Sequence, residues 1–220
     1  MYAVLYNRHM RFSTIFFDLD DTLYPSSTGL WAAIKERINL YMRDMLHLPA
    51  DEVPALREQY YKMYGTTLRG LIERHQVNEQ DFLAFVHDLP LKDYLSPDPI
   101  QREVIASLPQ RKFVFTNSDI HHARRVLSVL QLEDLFENII DVNAVAPYNK
   151  PNPESFAIAQ DIADEPDPRK CVMIDDLPRT TRAALEVGMA SILYGTDEPT
   201  EEASGVFVNW NHLPILVADG

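Results

Sequence analysis

Three short apolar runs in this chain each end on polar residues able to do chemistry. Ser13-Thr14-Ile15-Phe16-Phe17 runs into Asp18-Leu19-Asp20-Asp21-Thr22. Phe113-Val114-Phe115 runs into Thr116-Asn117, and Val172-Met173-Ile174 into Asp175-Asp176. Continuous apolar stretches rich in β-branched and aromatic residues suit strands buried on both faces of a parallel sheet. In open α/β sheets, ligands bind beyond the carboxyl ends of the strands. If these three strands are parallel neighbours, Asp18, Asp20, Asp175 and Asp176 converge on one crevice.

The chain between the runs sets the architecture. From residue 25 to about residue 91 the patterning is helical without a break. Leu30, Ile34, Ile38, Tyr41 and Met45 recur at helical spacing and fall on one face. Pro49 and Pro54 punctuate the next connection, and further helices are predicted over 55–64, 68–75 and 79–86. After Ser96-Pro97-Asp98-Pro99, strands and helices alternate. Strands are predicted over 112–115, 139–142, 172–174, 190–194 and 206–208. Helices fall over 119–130, from Pro153 with Asn152 as cap, and over 178–187 with Gly188 as stop. This alternation predicts an α/β fold, a doubly wound Rossmann-like parallel sheet. The first strand rejoins that sheet, so the core is 11–24 plus 92–220 and residues 25–91 form an inserted helical-bundle cap. Residues 1–11 read as a short extra segment, too short and too polar for a signal peptide.

Charge and cysteine usage narrow the partners. With 33 acidic and 20 basic residues the net charge is −13, which repels a nucleic acid polymer. A small phosphorylated substrate stays compatible if a metal and a lysine neutralise it locally. The single cysteine, Cys171, excludes an intrachain disulfide and fits a cytoplasmic location. It opens an apolar run and reads as a buried strand thiol. No apolar run approaches the roughly 18 residues of a membrane span, so no membrane partner is expected.

Taken singly, the acids read as loop residues or helix caps; Asp175-Asp176 could simply cap the helix at Pro178. Convergence changes that reading. Two unit charges about 4 Å apart repel by roughly 4 kcal/mol at an effective dielectric near 20. A cluster of such pairs calls for a cation, and all-oxygen donors favour Mg2+ over Zn2+. Thr116 offers a hydroxyl, with backbone amides, where phosphate oxygens can be held. Lys150 is either a solvated loop lysine or a point charge balancing a nucleophile and a phosphate. Pro151 restricts its backbone to an extended form. Tyr60, Tyr61 and Tyr64 stand at helical spacing, which reads first as core packing. His122 reads as a supporting residue and His121 as exposed.

Phe16-Phe17-Asp18-Leu19-Asp20-Asp21-Thr22-Leu23 resembles the first motif of the haloacid dehalogenase-like superfamily, an apolar strand followed by Asp-x-Asp-x-Thr. Phe115-Thr116-Asn117 resembles its second motif, Lys150-Pro151 its third and Ile174-Asp175-Asp176 its fourth, in the expected order. The resemblance implies a Mg2+-dependent phosphomonoester hydrolase. Asp18 would be the nucleophile and form an aspartyl-phosphate. Asp20 would protonate the leaving oxygen and then take a proton from water. Thr116, Asn117 and Lys150 would hold the phosphate. Asp18, the backbone carbonyl of Asp20 and Asp176 would bind Mg2+, with Asp175 acting through water. Asp20 must begin protonated, and neighbouring acids are expected to raise its pKa toward that.

A closer resemblance is to the pyrimidine 5′-nucleotidases of this superfamily. It rests on Tyr24, Ser26-Ser27-Thr28, the run Tyr60-Tyr61-Lys62-Met63-Tyr64-Gly65-Thr66-Thr67-Leu68-Arg69-Gly70-Leu71, Leu89-Pro90-Leu91 and His122-Ala123. It implies a pyrimidine nucleoside 5′-monophosphate as substrate, with Arg69 and Tyr64 of the cap touching it. Leu177 and Thr180 depart from the Ser and Asn that such relatives carry after the acid pair. The alternative on the same core is a sugar-phosphate phosphatase or phosphomutase. A non-hydrolytic phospho-acceptor signalling protein belongs to a different class, and Asp20 and the insertion argue against it. A dehalogenase would need neither Asp20 nor a metal.

Overall fold

The computed structural model describes residues 12–218. The predicted extra segment 1–11, including the first residue of the expected core, lies outside them.

Six strands form one parallel sheet: β1 (Thr14–Phe17), β2 (Arg111–Phe115), β3 (Asn138–Ile140), β4 (Cys171–Asp175), β5 (Ala190–Tyr194) and β6 (Gly205–Phe207). Their order is β3-β2-β1-β4-β5-β6. The first strand therefore lies at the centre, between β2 and β4. Phe17 stands opposite both Val114 and Ile174, so all three polar strand ends leave the sheet at one edge. The backbone N–H of Asp18 extends the ladder by donating to the Ile174 carbonyl at 2.8 Å.

Successive residues of β1 serve opposite faces, as the two-residue period of a strand requires. Phe16 packs with Phe113, Phe115 and Met173, beneath Phe156 and Ala159 of α7 (Pro153–Ile162) and Ala183 and Ala184 of α8 (Pro178–Glu186). Ile15 and Phe17 pack with Val114, Val172 and Ile174 on the other face. There α5 (Pro99–Ser107) and α6 (Ile120–Leu130) supply Val104, Ile105, Ala123, Val126 and Leu127. Helices on both faces make the sheet doubly wound, which accounts for strands without polar alternation.

Between β1 and α5 the chain adds no strand among the described residues. It forms α1 (Leu30–Leu40), a π-helical turn (Tyr41–Met45), α2 (Val53–Tyr64), α3 (Thr67–His75) and α4 (Glu79–Val86). Leu30, Ile34, Ile38 and Tyr41 are buried as their spacing predicts. Met45 is not; it is 58% exposed. The π turn adds a residue to the helical repeat and swings Met45 off the apolar face. Thr66 caps α3 through the Arg69 N–H, and Asn78 caps α4 through the Asp81 N–H.

A helix for which no expectation was stated opens the alternating part: Asp98 accepts from the Ile100 and Gln101 N–H groups, and Pro99 takes the first position of α5. Two other local expectations are corrected. Asn152 precedes α7, but its side chain makes no capping bond. Strand β3 ends at Ile140 because Asp141 turns away to accept from the backbone of Ile120 and Ala144. No described helix is long and apolar enough to cross a membrane.

Candidate active site

Asp18, Asp20, Thr116, Asn117, Lys150, Asp175 and Asp176 all line one cavity of about 410 Å³ at the carboxyl edge of the sheet. Lys150 sits at its base, almost wholly buried. Its Nζ donates to Asp18 Oδ1 at 2.7 Å and to Asp175 Oδ2 at 2.7 Å. Burial opposes the lysine's charge, but Asp175 and Asp18 overcome it and raise the ammonium's pKa. Asn117 holds the Lys150 backbone at both ends: its amide donates to the Lys150 carbonyl at 3.0 Å and accepts from the Lys150 N–H at 2.9 Å. That occupies the Asn117 side chain. Thr116 is buried and its hydroxyl oxygen accepts from the Ser118 N–H, so its O–H remains a donor.

The acids are poised for a cation. Asp18, Asp175 and Asp176 each place a carboxylate oxygen within 4.8 Å of the others. Asp175 is engaged on both oxygens, by Lys150 and by the Leu177 N–H at 2.9 Å. Among the described residues, the Asp176 side chain accepts from the Thr22 hydroxyl at 3.3 Å and leaves its other oxygen without a lysine or a strong donor. Burial first, then the charges of Asp175 and Asp21, push Asp176 up to about 7 against the pull of Lys150. Burial likewise lifts Asp18 well above the usual carboxylate range, with Asp175, Asp176 and Asp20 adding to it and Lys150 opposing. One buried lysine does not balance these carboxylates. An all-oxygen donor set with surplus negative charge fits a hard divalent cation such as Mg2+.

Asp20 departs from expectation. Its pKa is not raised by the neighbouring acids. Burial works against its charge, but the His122 ring beside it and hydrogen bonds from His122, Ser118 and Tyr24 outweigh burial and hold the carboxyl well below the usual range. Oδ1 accepts from the Tyr24 hydroxyl at 2.6 Å and lies 3.0 Å from His122 Nε2; Oδ2 accepts from the Ser118 hydroxyl at 2.5 Å. Tyr24 comes from the same loop, four residues on, while Ser118 and His122 come together from the segment after β2, which no local pattern reveals.

Among the described residues, Tyr64 and Arg69 do not line the cavity. Tyr64 turns away; its hydroxyl accepts from Arg74 Nε at 2.7 Å. Among the described residues, Arg69 Nε and Nη2 are buried without a hydrogen-bond partner. Tyr61 and Arg179 line the cavity instead. The Arg179 guanidinium lies 3.9 Å over the Tyr61 ring, and its Nη2 donates to the Gly65 carbonyl at 2.8 Å. Trp31, Lys35 and Arg57 also line the cavity. Of the three tyrosines of α2, Tyr60 is buried, Tyr64 follows it one turn on, and Tyr61 is the one that lines the cavity.

A doubly wound sheet with a helical insertion after its central strand, and an Asp-x-Asp loop facing a buried lysine and an acid pair, define one class of enzyme. Residues 12–188 match the haloacid dehalogenase-like hydrolases, and the chain belongs to that family. It is 31% identical over 205 residues to "Phosphate metabolism protein 8" of Saccharomyces cerevisiae, which covers 87% of this chain and 64% of that protein. The chain thus spans 64% of the length of that relative. Its fold is similar to the HAD-hydrolase YfnB from Bacillus subtilis bound to magnesium, with a TM-score of 0.61, 15% identity, and coverage of 94% of this chain and 99% of that one. It is also similar to L-2-haloacid dehalogenase from Xanthobacter autotrophicus with chloropropionic acid covalently bound, with a TM-score of 0.59, 17% identity, and coverage of 94% and 98%. At these identities the likeness concerns the fold.

Proposed function

We propose that this hydrolase cleaves small phosphomonoesters through a phosphorylated Asp18. The observation that carries the reading is the pairing of Asp18 with Lys150, beside Asp175 and Asp176, at the base of a cavity that Asp20 also lines. The Asp18 carboxylate attacks phosphorus, and the bond from phosphorus to the ester oxygen breaks. Asp20 gives the departing oxygen a proton. Water then attacks the phosphorus of the acyl phosphate, Asp20 takes its proton, and Asp18 and inorganic phosphate are released. The donors around Asp20 favour its carboxylate, the form this second half requires. Bound phosphate places negative charge nearby and favours the protonated form needed in the first half. Lys150 and the Thr116 hydroxyl balance the phosphoryl oxygens. Asp18, Asp176 and the Asp20 carbonyl would hold Mg2+, with Asp175 behind them; when bound it neutralises charge on the phosphoryl group.

Residues 25–91 act as a cap in this reading, and selectivity comes from what the cap side of the cavity offers. A pyrimidine nucleoside 5′-monophosphate remains the leading substrate. Its ring carbonyls are acceptors for the guanidinium of Arg179, which takes over the part expected of Arg69. The relative named for phosphate metabolism supports a phosphorylated substrate. The dehalogenase among the structural neighbours offers a second reading, but such chemistry gives no use to Asp20 and its three donors.

A screen of phosphomonoesters with Mg2+ and with EDTA tests this. Activity is expected only with Mg2+, with UMP and CMP ahead of AMP by about 10–200-fold in kcat/KM. Arg179→Ala should narrow that ratio more than Arg69→Ala. Sugar phosphates equal to UMP and CMP would replace the nucleotide reading with the sugar-phosphate one. Full activity in EDTA would remove the metal.

A further inference from the structure

The residues around Asp20 are themselves held in place. His122 is buried and does not line the cavity, so it reaches the reaction only through Asp20. Among the described residues its buried Nδ1 has no hydrogen-bond partner, and Nε2 is the ring nitrogen that faces Asp20, 3.0 Å from Oδ1. The ring of His87, the residue that closes α4, stacks on it with centroids 4.0 Å apart and planes 19° from parallel. One carboxylate holds the His87 ring and the His122 backbone. Asp119 Oδ2 is 2.6 Å from His87 Nδ1, while Asp119 Oδ1 accepts the backbone N–H groups of His121 at 2.8 Å and His122 at 3.0 Å. Arg125 adds a clamp on the chain leaving α4, donating to the carbonyls of His87 at 2.8 Å and Leu89 at 2.7 Å.

Resting on the reading of Asp20 as the acid–base residue, we infer that His122 is its positioning residue, with His87 and Asp119 setting the plane of the His122 ring. Without the His122 Nε2 contact, Asp20 keeps only the rotatable hydroxyls of Tyr24 and Ser118, which can follow the carboxylate as it shifts. A misplacement of about 1 Å at a reacting group costs about 10²-fold in rate. The cluster also ties both chain crossings of the helical insertion to one carboxylate: Tyr24 on the way in, and His87 through His122 on the way out.

The test uses two esters that differ in their need for an acid. The uridine of UMP would leave as an alkoxide and requires a proton; the p-nitrophenolate of p-nitrophenyl phosphate is stable as an anion and does not. His122→Leu is expected to lower kcat/KM on UMP by about 10²-fold, in the range of general acid catalysis, and on p-nitrophenyl phosphate by less than about fivefold. His122→Gln, whose amide reaches the Nε2 position, should recover most of the loss on UMP. Far-UV circular dichroism checks folding, and His122→Asn, whose amide falls short of Asp20, stands in if the Leu variant does not fold. Equal losses on both esters, or a Gln variant no better than Leu or Asn, would overturn the inference and leave His122 a packing residue. If the unaltered chain with Mg2+ turns over neither ester, the proposed function itself fails, which is seen before any variant is made.

Discussion

Asp176 is the residue whose environment makes the sharpest claim. A carboxyl pushed up to about 7 by burial and by its acidic neighbours holds a proton in the folded chain that the unfolded chain releases near pH 4, at about 3.9. Between about pH 4 and 7, folding therefore takes up a proton, and stability falls as pH rises through that window. Asp176→Asn removes this loss. In metal-free buffer the variant's melting temperature should rise relative to the unaltered chain from about pH 4 to about pH 8. Mg2+ should raise the melting temperature of the unaltered chain at about pH 8 and leave the variant nearly unmoved, since the cation binds the folded state. Parallel melting curves at every pH would mean that Asp176 feels no surplus charge. The neighbouring Asp175 should behave differently, because it accepts from buried Lys150. Removing one partner of a buried pair costs about 3–5 kcal/mol, so Asp175→Ala should lose stability whether or not metal is present.

At the scale of elements, the α2–α3 pair shows how little room the insertion has. A Cβ on Gly70 would lie 2.5 Å from Cβ and Cγ of Tyr60, so α3 approaches α2 as closely as a bare backbone allows. Gly70→Ala gains up to about 1 kcal/mol of helix propensity and loses about 1–3 kcal/mol to overpacking. A net loss of about 1–2 kcal/mol in urea denaturation is expected; a gain would mean that the helices separate freely. Gly65 does a different job. Its φ of +84° ends α2, and a Cβ there would lie 2.5 Å from Asn149 Nδ2, so the insertion rests directly on the loop that carries Lys150.

Elements with a strong period are legible in the amino-acid pattern itself: β5 over 190–194 and α4 over 79–86 lie where their patterns put them. So are the strand ends, because an apolar run that stops on Asp18, Thr116 or Asp175 marks both a buried strand and its exit. What escapes the pattern is local geometry that overrides period. The π turn displaces Met45, and a proline-marked stretch becomes a helix because Asp98 caps it. In the site, Asp18, Lys150 and the acid pair are legible as motifs. The link from His87 to Asp119 is not, since 32 residues separate them and only the fold brings them together.

On the scale of the whole molecule, the sheet order brings the separate motifs to one place. With β1 between β2 and β4, three loops far apart in sequence meet over one lysine, and the helical insertion that leaves β1 closes the cavity with Tyr61 and Thr66. A net charge of −13 surrounds this site, so an anionic substrate is drawn in by local cations rather than by the field of the protein. Everything proposed for Asp20, Lys150, the acid pair and His122 depends on one step, the transfer of a phosphoryl group to Asp18. Borohydride reduces an acyl phosphate to an alcohol, which turns a phosphorylated aspartate into homoserine. The chain is mixed with Mg2+ and UMP, quenched in acid during turnover, reduced, digested and sequenced by mass spectrometry. Homoserine is predicted at position 18 and nowhere else. Asp18→Asn should show none, with turnover lowered by about 10³-fold or more and the fold intact. Steady turnover with no homoserine at position 18, or an Asp18→Asn variant of near-normal rate, would contradict the account.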